Sequence, residues 1–266
     1  MGCPISGQAR LLHDFGSEII DLLFDPLRAN GRSVADDGPP APAAIRPAAC
    51  AICAAAADGT TPASPAAPAP AAPNAALLAG AEVFENITES APTLDQAAFS
   101  KLYDGYRSNA AAIDAALTPA QRSELKTNAI GVARRWKAGN RNAVALDAVE
   151  AYRTLVSAVD RKAMPVPVEV SLLDYVGFRL NALLGDGKSP NWRAISRTIN
   201  EAHGFWRAIK PKVKDSMLAD AMDRSLKALD AANMQRNPQL LVYAADMDLI
   251  LVDGLEAHLT PKPAAP

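Results

Sequence analysis

The sequence predicts an all-α fold: an up-and-down helical bundle built by tandem duplication of a four-helix unit, preceded by a disordered Pro/Ala-rich linker. Three observations lead there. Hydrophobic residues fill 49% of the 266 positions and aromatics only 5%, and alanine-rich chains of this kind favour helices over β-sandwiches. Beyond Asn74 the apolar residues return every third or fourth position, the period of a helix with one buried face. The same order of helices and breakers occurs twice.

The first helix is expected at 75–89 and the second at 95–116, where Phe99, Leu102, Tyr106, Ala110, Ile113 and Leu117 form one stripe. Thr118-Pro119 starts a third at 119–138, since proline in a first turn loses no needed hydrogen bond. The turn "AGNRN" (138–142) leads to a fourth at 142–162. "MPVPV" (164–168) forces an extended crossing to a fifth at 170–184. After the loop "GDGKSPN" (185–191), Trp192, Ile195, Ile199, Ala202, Trp206 and Ile209 mark a sixth at 191–209. Lys210-Pro211 reads as the start of a seventh at 211–233. "NMQRNP" (233–238) turns into the eighth at 238–258, with the stripe Leu240, Ala244, Met247, Leu251, Leu255 and His258.

An offset of 93 aligns Phe99 with Trp192, Ile113 with Trp206 and Trp136 with Leu229. After the turn the offset becomes 95, and Arg141-Asn142 meets Arg236-Asn237. The two repeats then span 74–163 and 164–260, with 261–266 as a tail. The short connection between them favours one packed body.

The region before Asn74 reads as targeting and tether. Residues 59–73, "GTTPASPAAPAPAAP", have linker composition. Residues 45–58 resemble a signal peptide: Arg46, an apolar run from Pro47 to Ala57, and Ala55-Ala56-Ala57 before Asp58. Cys50 and Cys53 lie inside that run. Their C-x-x-C has no second ligand pair and no histidine after it, so it reads as signal hydrophobe rather than a redox or metal motif. On this reading 1–44 is a poorly ordered extension that the exported protein lacks, although "LLHDFGSEIIDLLFDPL" (11–27) has the pattern of a short amphipathic helix. A rival reading takes Met1-Gly2-Cys3-Pro4-Ile5-Ser6 as an acylation signal, which implies a membrane tether through lipidation at the cytoplasmic face.

Charge excludes one class of partner. Residues 74–260 hold 22 acidic and 22 basic side chains, so no basic surface for nucleic acid is expected. No run of about 18 apolar residues occurs, so no transmembrane helix is expected. The stretch "RRWKAGNR" (134–141) mixes bases with an aromatic, but cations suit a helix C-terminus and Trp136 falls on the buried stripe. Asp246, Asp248 and Asp253 lack the spacing of a calcium loop and read as solvated carboxylates on a helix face.

No nucleophile–base pattern, phosphate loop or histidine metal motif appears, so the expected function is binding rather than catalysis. No cofactor is predicted. The alternative is a copper or haem carrier: the turn at Pro211 would bring His203 level with Met217, the turn near Met234 would bring Met222 level with Met247, and His258 completes the set. Trp192, Trp206, Tyr106 and Tyr175 are the candidates for lining an apolar ligand cavity. The overall expectation is an exported protein, periplasmic or secreted, that binds a protein or a small molecule.

Overall fold

The computed structural model describes residues 72–185 and 190–261. The signal-like segment with its C-x-x-C, the linker up to residue 71, the acylation pattern and the 11–27 segment lie outside these residues. Among the described residues every regular element is helical: α1 (Ala72–Ser90), α2 (Gln96–Ala116), α3 (Pro119–Lys137), α4 (Arg141–Ala158), α5 (Val168–Leu184), α6 (Trp192–Ile209), α7 (Ser216–Gln235) and α8 (Pro238–Leu259), with short 3-10 turns at Arg161–Ala163 and Lys210–Lys212. None of these helices is long and apolar enough to cross a membrane.

Six helices start at a side-chain cap. Asp95, Thr118, Asn140, Asn191, Asp215 and Asn237 each accept a backbone N–H from the first turn that follows. These caps satisfy donors that the helical ladder leaves open. Thr118 and Gln121 reciprocate as a capping box.

Three boundaries differ most from expectation, each for a local reason. Helix α4 ends at Ala158 rather than 162, because Val159 is extended and Asp160 caps the 3-10 turn that follows. Helix α1 begins inside the expected linker because Asn74 is buried and clamps it. The Asn74 amide donates to the Asp160 carbonyl (3.0 Å), and the Asp160 N–H donates back to Asn74 Oδ1 (2.8 Å). That tie fixes the start of α1 to the chain just beyond α4. Helix α7 begins at Ser216, not at Pro211. Pro211 sits in the 3-10 turn, while Asp215 accepts the N–H groups of Met217 (2.9 Å) and Leu218 (3.2 Å) and so sets the start.

The two halves share one packing pattern. In the first, α1 packs on α2 and α4, and α3 packs on α4; in the second, α5 packs on α6 and α8, and α7 packs on α8. Helices α4 and α5 join the halves. The recurrence has its own register. Helix starts and caps return 96 or 97 residues apart: Gln96 and Trp192, Asn140 and Asn237. At this spacing buried residues meet buried residues, as with Leu77 and Leu173, Phe99 and Ile195, Ile113 and Ile209, Val132 and Leu229, Val144 and Leu241. The offsets of 93 and 95 expected from the sequence are shorter than this spacing by three and two residues. The residue before each Asn cap is left-handed, Gly139 in the first half (φ 71°) and Arg236 in the second (φ 49°).

Helices α5 and α8 approach each other closely. A methyl group added at Gly177 would lie 2.5 Å from both Cγ and Cδ2 of Leu249. Gly177→Ala is therefore expected to destabilise by about 1–3 kcal/mol through overpacking. Urea unfolding followed by circular dichroism measures this, and a Gly177→Ala variant as stable as the parent would contradict the tight crossing.

Candidate functional site

The proposed metal set is spread over separate environments. His203 Nε2 lies 3.0 Å from Asp230 Oδ2, across the α6–α7 contact. Asp230 is thirteen residues from Met217 along α7, about 20 Å of helical rise. His203 and Met217 are therefore not level, because α7 starts later than the Pro211 reading requires. Met217 is 79% exposed at the first turn of α7. Met222 is fully buried, whereas Met247 stands on the exposed face of α8. The His258 Nε2 accepts the Lys214 N–H (3.2 Å) and ties the end of α8 to the 3-10 corner. Among the described residues no three His, Cys, Asp or Glu side chains gather in a set that would hold a metal ion.

The four aromatic candidates pack in different interfaces rather than around one space. Tyr106 of α2 tilts onto Phe84 of α1, with ring centroids 4.8 Å apart; burial first, then Tyr103 and Asp114, push its hydroxyl up to about 12. Trp206 is buried and donates its Nε1–H to Asp223 (2.7 Å), which also pairs with Lys210 (2.6 Å). Trp192 lies 5.8 Å beneath the Arg236 guanidinium. Tyr175 is fully buried in the seam between the halves.

That seam carries a polar network. Glu150 and Arg153 project from α4, Tyr175 and Arg179 from α5, Thr198 and Glu201 from α6. Arg179 pairs with Glu150 (2.7 Å) and donates to Thr198 Oγ1 (2.7 Å). Arg153 donates to the Tyr175 hydroxyl (3.1 Å) and pairs with Glu201 (3.4 Å). Nearby, Tyr152 of α4 donates to the Ser171 carbonyl (3.1 Å) and meets Phe178 edge-on. The α4 face is covered by α5, and its charges are matched one for one.

Among the described residues the corresponding face of α8 is open. At the spacing of 97 set by the Asn caps, Ala145, Leu146, Glu150 and Arg153 of α4 correspond to Val242, Tyr243, Met247 and Ile250 of α8. Each of these four α8 residues is 39% exposed. Tyr243, Met247 and Ile250, spaced by four and three, form one stripe along the helix, and Val242 flanks it. Beyond Ile250 the same face continues into Asp253 and Glu256, both exposed.

Those two carboxylates face an acidic cluster gathered from distant helices. Burial pushes the Glu85 carboxyl of α1 up to about 7, and the negative charges of Glu89, Glu256, Glu82 and Asp253 add to it. Burial also raises Asp174 of α5 well above the usual carboxylate range, with Glu85, Glu256, Asp253 and Asp248 pushing the same way. Glu89 and Asp253 are raised too, chiefly by the partial burial of their carboxyls. The ion pairs Arg135–Asp147 and Arg161–Glu169 engage other carboxylates. Asp248 corrects a further expectation. It is fully buried, not solvated: Oδ1 accepts the Ser225 hydroxyl (2.9 Å), Oδ2 has no partner among the described residues, and burial lifts the group to about 7.

The α8 stripe and the cluster are beyond reach of a linear reading, because both depend on which helices meet. Among known proteins, the chain matches no family model, no curated protein and no solved structure.

Proposed function

We propose that the helical body is a binding module that acts through a protein contact on the outer face of α8, rather than an enzyme. One observation carries this reading. The α4 face that docks the second half has a counterpart on α8 that holds four large apolar residues and stands open among the described residues. Scattered exposed apolar residues are ordinary, but an aligned stripe of three flanked by a fourth marks a contact surface. We further read the two halves as descendants of one four-helix unit. The shared packing pattern, the recurring caps and the 96–97 spacing support that origin. Export to the periplasm or outside the cell belongs to the same reading and rests on residues 45–58.

A photoreactive amino acid placed at Val242 or Met247 in the full chain, in its native cell, tests the contact. A discrete cross-linked species is expected from both positions and not from Met234, which is 84% exposed elsewhere. The same products from all three positions, or none from α8, would remove the proposal.

A further inference from the structure

We infer that the occupant of the α8 face is an amphipathic helix of another protein, apolar along its length and rich in Lys and Arg at one end. The inference rests on reading that face as a contact surface and adds the chemistry of the partner. Its first support is the likeness of this face to the interface inside the chain. The α4 counterpart of this face is covered by a helix, α5, so the α8 backbone offers a surface of the same form. The side chains differ in kind. Where α4 presents Glu150 and Arg153 to a polar network, α8 presents Met247 and Ile250, which suits an apolar stripe read at intervals of three and four.

The second support is charge, and it is directional. Along the exposed face, Val242, Tyr243, Met247 and Ile250 come first, with Asp246 among them; Asp253 and Glu256 follow. Asp246 already accepts the Asn181 amide (2.8 Å). Asp253 and Glu256 instead face Glu85 of α1 and Asp174 of α5, and Asp253 also faces Glu89, all acidic. A partner helix laid on the stripe would carry its end over this cluster, where cations relieve the repulsion. A second copy presenting the same α8 face fits less well. Pro238–Leu259 contains no Lys or Arg, so a second α8 offers no such cation to the cluster.

Designed peptides of about 18 residues, long enough to hold a helix on binding, test this against the full chain by fluorescence anisotropy. The first carries leucines at helical spacing with lysines confined to one end. The second replaces those lysines by glutamates, and the third replaces the leucines by serines. The Leu/Lys peptide is expected to bind at least about ten-fold more tightly than either control. Met247→Ser with Ile250→Ser should remove that preference. Asp253→Lys with Glu256→Lys, both at exposed positions, should shift it toward the Leu/Glu peptide. Equal binding of the serine peptide would reduce the site to charge alone, and equal binding of the Leu/Glu peptide would reduce it to apolar adhesion; either overturns the inference, as does no binding. Sedimentation that shows a dimer abolished by Met247→Ser/Ile250→Ser overturns the foreign partner while leaving α8 as a contact surface. Cross-links from α8 without Leu/Lys binding would likewise reject only the partner class.

Discussion

Trp136→Ala is expected to cost about 3–5 kcal/mol of folding stability, among the largest effects of any single truncation in the first half. The indole is 5% exposed and stacks on Phe99 with centroids 4.0 Å apart and planes 4° from parallel. Its Nε1–H donates to Gln96 Oε1 (2.8 Å), which ties α3 to the first turn of α2. The Arg141 guanidinium also sits over the ring, 3.3 Å from the centroid. Truncation removes the buried area, a stacked pair worth about 0.5–1.5 kcal/mol beyond its area and a hydrogen bond worth about 1 kcal/mol. It also strips the ring from Arg141, whose buried Nη1 has no hydrogen-bond partner among the described residues. Trp136→Phe keeps the stacking and loses the hydrogen bond, so it should fall between the two. Guanidinium unfolding checks the order, and a loss below about 1 kcal/mol for alanine would show that the stack is not a core element. The same geometry accounts for "RRWKAGNR": Trp136 is buried and Arg141 is committed to it, so neither is presented to a phosphate.

The helices are legible in the sequence because each carries its own signal. The stripe Phe99, Ile113 and the stripe Ile195, Ile199, Ile209 need no partner to be recognised, and Thr118-Pro119 and Asn237-Pro238 announce their starts. Pro211 misleads because proline fits a 3-10 turn as readily as a helical first turn, and the stronger signal is the carboxylate at Asp215. The register of the recurrence is ambiguous for a different reason. A stripe with a period of three or four matches itself when slid by one turn, so aligned hydrophobes cannot tell 93 from 96. The caps can, because each is a single residue in a fixed backbone role. The α8 face is hidden because α8 is apolar around much of its circumference. Which side stays exposed is decided by α5 and α7, not by its own pattern. Glu85, Asp174 and Glu256 lie far apart in the chain, and only packing makes them neighbours. Asp248 shares a short stretch with the exposed Asp246 and Asp253, and nothing in that spacing separates the buried one from the others.

Stability is expected to fall as pH rises from about 5 to 8. In the unfolded chain Glu85 and Asp248 release their protons near their ordinary values, 4.5 and 3.8; folded, both hold them to about 7. Between those limits the folded state binds more protons than the unfolded state, so the free energy of unfolding decreases with pH. Below about pH 4 both states are protonated and the difference vanishes; above about 7 the full cost is present. Asp174 is raised for the same reason and adds in the same direction. A tenfold difference in proton affinity between the two states corresponds to about 1.36 kcal/mol, and screening and relaxation take a share, so the combined change is on the order of 2–4 kcal/mol. Urea midpoints at pH 5, 6, 7 and 8 measure it. Asp248→Asn should flatten the curve and exceed the parent at pH 8, since it retains an acceptor for Ser225 and removes the buried charge. The first half points to a second remedy. The counterpart of Asp248 at the 97-residue spacing is Ala151, fully buried on α4, so the same place in the first half is filled by a methyl group. Ser225→Ala with Asp248→Ala carries that apolar solution into the second half. Replacing both partners avoids leaving one buried polar group alone, and this variant should also gain at pH 8 and lose its advantage at pH 5. A flat or rising curve for the parent, or an asparagine variant weaker than the parent at pH 8, would mean that these carboxyls are better solvated than their surroundings allow.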